Sequence, residues 1–209
     1  MNSSASVVFQ SQDSGEELAR AEVYGLLAEL FFAPPSQGLF EQLRVAVTQA
    51  PRAGAFLEGS WGELVGASRR LELPEIEAEY VALFGGVGKP AVCLFSSWYL
   101  AGALNQQPLV ELRQALEALG LERPPGVLET EDHIAGLCEV MRYLIAGEDL
   151  GVSNLATQQR FFNTYLRVWA DGLCEAIGAQ MQADFYRALA DFARDFFAVE
   201  AQGFDLVET

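Results

Sequence analysis

The chain has little with which to grip nucleic acid, hold a metal ion or cross a membrane. Thirteen Lys and Arg stand against 29 Asp and Glu, a net charge of −16 over 209 residues. Binding along phosphates needs a basic surface, so this balance excludes a nucleic-acid partner and argues equally against an anionic membrane surface. It suits a well-dispersed protein, or one that attracts a basic partner. There is one histidine, His133, and the three cysteines (Cys93, Cys138, Cys174) are scattered with no Cys-x-x-Cys pair. No zinc site at ordinary ligand spacing is available, so no metal is expected. An odd, dispersed cysteine count fits reduced, buried thiols in a cytoplasmic protein rather than a disulfide framework. Residues 1–14 lack the basic start and apolar stretch of a secretory signal. No uninterrupted apolar run reaches the ~20 residues of a membrane span, so no direct membrane insertion is expected. There is no internal repeat, and no segment alternates apolar and polar residues with hairpin signals.

What is present is helical periodicity. With 51% hydrophobic and 20% charged residues, the chain can bury a sizeable core. Residues 1–13 read as a loose tail, and Ser14 with Glu17 reads as a capping box opening the first helix. That helix carries Val23, Leu26, Leu27, Leu30 and Phe31 on one stripe and stops at Pro34-Pro35. Ser36 caps a second helix. Ser60 with Glu63 reads as another capping box, and Pro74 opens a helix through Tyr80 and Phe84. Short helices follow from Ser97 and Pro108. Thr130 is expected to cap the clearest helix, with Ile134, Leu137, Cys138, Met141, Leu144 and Ile145 on its apolar face. Ser153 starts a helix with Phe161, Phe162, Tyr165 and Trp169, aromatics best read as core. The last long helix holds Phe185, Leu189, Phe192 and Phe196. The expected fold is all-α: one globular bundle of about nine to eleven helices over residues 14–201, with an acidic tail at 202–209. The connector at 120–131 is the only hinge on offer.

The unusual stretch is Tyr80–Leu100. It breaks at Gly85-Gly86, runs through a mostly apolar loop and re-enters helix near Ser97, with Lys89 its only charged residue. Loops are normally polar because their backbone needs water, so this one must pack inward or await a partner. Its Gly-Gly-Val-Gly-Lys run is not a phosphate loop, since Leu83 and Pro90 occupy the required Gly and Ser/Thr positions and no strand precedes it. Asp132-His133 is the only neighbouring carboxylate–imidazole pair. A general-base role would need the carboxylate to orient the ring, and adjacent helical residues face apart. Asp132 reads instead as a first-turn acid favoured by the helix dipole. No catalytic residue is nominated. The acids Glu72, Glu75, Glu77 and Glu79 and those at 129–132 read as a solvated face or an acidic rim.

Three segments stand in order: Tyr80-x-x-Leu83-Phe84-x-Gly86 with Pro90 and Phe95-x-Ser97-x-Tyr99; Glu129-x-Glu131-Asp132-His133 with Met141 and Leu144-Ile145; and Gln159-x-Phe161-Phe162-x-x-Tyr165-x-x-x-Trp169. Together they resemble the TorD-like family of redox-enzyme maturation chaperones, with its DmsD and NarJ branches. The order and spacing run over roughly residues 16–200. Val87, Cys93-Leu94 and Glu131 depart from the family's frequent prolines. The resemblance implies an all-helical cytoplasmic chaperone that is not an enzyme. It would bind the twin-arginine signal peptide, or an equivalent N-terminal segment, of a molybdopterin-dependent oxidoreductase subunit and hold it for cofactor insertion before export. The implied peptide site comprises Phe95, Ser97, Tyr99, Asp132 and His133, with Phe84, Trp98 and Glu129 beside them. The resemblance also implies a monomer or a domain-swapped dimer, and no cofactor beyond the guanine nucleotide that some members bind. Two other readings are a small hydrolase or transferase using Asp132-His133, and a helical assembly scaffold with Phe95 and Tyr99 in its core.

Overall fold

Prolines and side-chain caps cut the chain into helices. A computed structural model describes residues 12–48, 57–85 and 89–207, the side chains of 12–14 and 207 excepted. Among them run α1 (Gln12–Phe32), α2 (Gln37–Val45), α3 (Glu58–Arg70), α4 (Leu73–Phe84), α5 (Ser96–Ala101), α6 (Gln107–Ala118), α7 (Ile134–Ala146), α8 (Leu155–Tyr165), α9 (Ala170–Gly178) and α10 (Phe185–Val207). The fold is an all-α single helical bundle. Pro34-Pro35 follows the end of α1, and the Ser36 hydroxyl accepts the Leu39 N–H at 3.2 Å to start α2. In α4 the Glu75 carboxylate accepts the Glu72 N–H at 2.8 Å, reaching back over Pro74.

The expected boundaries shift at several places. Helix α1 already includes Gln12 and Asp13, while residues 1–11 of the expected tail lie outside the described residues. Ser60 is not a cap: α3 begins at Glu58, and the Ser60 hydroxyl is buried without a hydrogen bond. Thr130 does not cap α7, because His133 takes that place through its ring nitrogen, leaving Asp132 ahead of the helix rather than in its first turn. Asn154, one residue after Ser153, caps α8. The segment expected as an acidic tail from residue 202 is helical through Val207, with Phe204 buried.

The core is one continuous apolar cluster, in which α1 packs along α7 and α10 packs against α9 and α3. The buried line of α1 is Tyr24, Leu27, Leu30 and Phe31, while Val23 and Leu26 are only half-buried. A tyrosine can sit fully inside because its hydroxyl donates to Glu200 at 3.0 Å. The same carboxylate takes two bonds from Arg20, at 2.7 and 2.8 Å, so α1 and α10 are joined by a paired and satisfied charge. Glu79, expected on a solvated face, is also buried. It accepts the N–H groups of Asp184, Phe185 and Tyr186 at 2.9, 3.1 and 2.8 Å, capping α10 from α4.

Candidate functional site

Two distant segments meet at the start of α7. The Leu94 carbonyl accepts the Ile134 N–H, and the Asp132 carbonyl accepts the Ser96 N–H, both at 2.9 Å. This pairs Phe95 with His133 as an isolated antiparallel bridge. Side chains then lock it. The Asp132 carboxylate accepts the Ser97 N–H at 3.0 Å, the Ser97 hydroxyl at 2.5 Å and the Thr130 hydroxyl at 2.6 Å. Ser97 and Asp132 are 0% and 1% exposed, so neither has a surface to offer a ligand. Their task is to hold α5 on the α7 start.

His133 follows from this clamp. Its Nδ1 accepts the Ala135 N–H at 3.1 Å, which places the proton of the neutral ring on Nε2. Burial lowers its pKa from 6.5 to about 4, against the opposing charges of Glu129 and Asp132. The hydrolase or transferase reading needs the reverse arrangement, with Asp132 on the imidazole and a free nitrogen toward a nucleophile. Asp132 is instead bonded to Ser97 and Thr130, and Nδ1 is occupied by backbone.

The surface over this clamp is aromatic. Phe95 meets the His133 ring edge-on at 4.9 Å between centroids, and Phe32, from the end of α1, meets it at 6.3 Å. Phe95 is half-buried, whereas Phe32 is 48% exposed. Tyr80 ties α4 to the same corner by donating its hydroxyl to the Phe32 carbonyl at 2.6 Å. Its pKa is pushed up to about 12 by burial and then by the charge of Glu129. Glu129 therefore acts on both Tyr80 and His133. Neighbouring Glu131 is held by Arg113 at 2.8 Å and Arg123 at 3.5 Å, but Glu129 is in none of the ion pairs among the described residues.

The remaining expected residues make other contacts. Tyr99 turns to α9, with its ring 5.3 Å from Trp169 and against Gly172, and its hydroxyl donates to the Cys93 carbonyl at 2.8 Å. Phe84 packs on Tyr80 and Tyr186 at 5.2 and 5.1 Å. Trp98 is half-buried beneath Lys89. Phe32 was not foreseen, because a Phe-Phe pair at a helix end gives no sign of which ring faces out. Two concave spaces are lined mainly by other residues. One of about 440 Å³ holds Arg113 and Arg123 bound to Glu131, and one of about 460 Å³ lies between α1, α3 and α10. No cluster of His, Cys, Asp or Glu able to hold a metal occurs among the described residues.

Residues 51–175 match the family model described as "Nitrate reductase delta subunit". The chain belongs to this family of TorD-like redox-enzyme maturation chaperones. It is similar to "Chaperone protein TorD" of Vibrio cholerae serotype O1, with 26% identity over 193 residues, 85% of this chain and 88% of that one. The protein of the same name from Shewanella loihica is 25% identical over 203 residues, covering 88% and 92% of the two chains. That from Colwellia psychrerythraea is 22% identical over 232 residues, covering 92% and 96%. The relatives are chaperones by name, and this chain is a chaperone of molybdoenzyme maturation rather than an enzyme. Its match spans the Phe95–His133 corner. No helix among the described residues is long and apolar enough to cross a membrane.

Proposed function

We propose that this chaperone binds the N-terminal segment of a molybdopterin-dependent oxidoreductase subunit, a twin-arginine signal peptide or its equivalent, and holds it in the cytoplasm during cofactor insertion. The observation that carries the reading is an exposed aromatic, Phe32, meeting His133 beside half-buried Phe95 and the carboxylate of Glu129, which is in no ion pair among the described residues. Such a segment has a basic part and an apolar part. Apolar contacts on Phe32 and Phe95 supply affinity, and Glu129 in a chain of net charge −16 supplies attraction and orientation. Ser97 and Asp132 take part by holding α5 in place. A neutral His133 matters too, since an imidazolium there would repel the basic part.

The assembly-scaffold reading requires Phe95 and Tyr99 inside the core and no exposed apolar surface beside an acid; Tyr99 does pack inward on Trp169, but Phe95 is half-buried and Phe32 is exposed, so this reading has less support. The test is calorimetric titration with a synthetic peptide carrying two consecutive arginines followed by an apolar stretch. Phe32→Ser is expected to weaken binding by about five- to thirty-fold, the range for truncating an interface anchor, and Glu129→Gln by about two- to five-fold, mainly through slower association. Circular dichroism should be unchanged, since both side chains reach solvent. A folded wild-type protein that binds no such peptide overturns the reading.

A further inference from the structure

Lys89 is the only lysine in the chain. In a protein with 29 carboxylates it joins none of the ion pairs among the described residues. Its ammonium lies instead over the Trp98 ring, 4.3 Å from the centroid. Tryptophan gives the strongest cation–π attraction of the aromatic side chains, so this is a formed cation seat with an occupant from the same chain.

The seat is tied in place, whereas its occupant is an exposed side chain. Trp98 sits in α5, where its N–H donates to the Phe95 carbonyl at 3.2 Å and its carbonyl accepts the Gly102 N–H at 3.0 Å. Gly102 closes the helix with a φ of 74°, a conformation natural to glycine. Ser97, next in sequence, is locked to Asp132. Lys89, by contrast, is exposed on the connector between α4 and α5. The seat also adjoins the aromatic corner, because Trp98 lies one helical turn from Phe95.

We propose that Trp98 receives one cationic side chain of the bound segment and that Lys89 is its internal stand-in, displaced when the segment arrives. This rests on the peptide-binding reading above. An arginine would displace a lysine because its planar guanidinium stacks on an aromatic face as well as being attracted to it, whereas an ammonium is a strongly hydrated point charge. The seat would therefore favour arginine over lysine at that position of the partner. Lys89 would shield the Trp98 face until such a partner arrives.

The experiment is a double-mutant cycle read by calorimetry at physiological salt. The probes are a synthetic peptide with two arginines before an apolar stretch and the same peptide with citrulline, the uncharged isostere, in place of both. Lys89→Met should tighten the arginine peptide about two- to five-fold, the worth of an exposed cation–π contact, and leave the citrulline peptide nearly unchanged. In a Trp98→Leu background the gain from Lys89→Met should vanish, because there is no seat to free. If that variant fails to fold by circular dichroism, Trp98→Phe serves, and the gain should shrink. A gain of equal size in both backgrounds would mean that only long-range charge had changed, and would overturn the proposal. No gain, or weaker binding, in Lys89→Met alone would overturn it as well. Both outcomes leave the peptide site standing, whereas a wild-type protein that binds neither peptide removes the site and the seat together.

Discussion

His133 accepts the Ala135 N–H through Nδ1 and packs against Phe32 and Phe95, and the capping bond needs the uncharged ring. Burial holds its folded-state pKa at about 4, below the ordinary 6.5. Between those values the unfolded chain carries a proton there that the folded chain does not, so stability rises with pH across this window. The contribution is complete above about pH 6.5 and is lost as pH falls toward 4, in total on the order of 3 kcal/mol. Urea unfolding of wild type and His133→Asn from pH 4 to 7 checks this. Asparagine can still cap α7 but does not titrate, so the difference between the two curves should show the histidine's slope, free of the carboxylates that titrate in both. A parallel pair of curves would exclude a buried neutral His133. This residue also marks how far the sequence could be read. The resemblance brought Asp132-His133 and the Phe95 loop into one site, and they do meet. Their separate tasks were not legible, because which oxygen or nitrogen meets which donor is a matter of ångströms that spacing does not encode.

At the scale of elements, the strongest tie found only in three dimensions is the capping of α10 by Glu79. A helix start leaves N–H groups without partners, and here one carboxylate from another helix takes three of them. The anion also sits at the positive end of the helix dipole. Glu79→Ala leaves those donors buried or half-buried without a partner, and should cost about 2–4 kcal/mol in urea unfolding. Glu79→Gln retains one carbonyl acceptor and should cost roughly half as much. Equal costs for the two would show that packing rather than capping is lost. In the sequence Glu79 is one of four acids at 72–79; its spacing from Ile76 and Leu83 puts it on the apolar face of α4, but nothing local shows that the carboxylate meets the start of another helix. The helices themselves were far more legible. The α7 stripe of Ile134, Leu137, Cys138, Met141, Leu144 and Ile145 is buried as its period predicts. The ends moved, at Ser60, Thr130 and residue 202, because caps depend on which donor finds an acceptor once the chain has folded. The aromatic bulk of Phe161, Phe162 and Trp169 went inside, as helical spacing implied.

For the whole molecule, charge separates into two roles. Among the described residues only three acids, Glu79, Asp132 and Glu200, are buried, and each is bonded to a helix start, a loop or an arginine. The other described carboxylates reach solvent to some degree and contribute to the external field. That field acts over about 8 Å at physiological ionic strength, so it governs encounter more than the closed complex. In the proposed complex, apolar contacts on Phe32 and Phe95 would be nearly indifferent to salt and would govern departure. Stopped-flow binding of the arginine peptide should therefore show an association rate that falls about ten-fold between 0.05 and 0.5 M salt. The dissociation rate should change much less, and the citrulline peptide should associate more slowly and with little salt dependence. An arginine peptide whose association ignores salt while its dissociation accelerates would place the charges inside the bound interface instead. Glu129 would then act as a buried partner of an arginine rather than as part of a steering field.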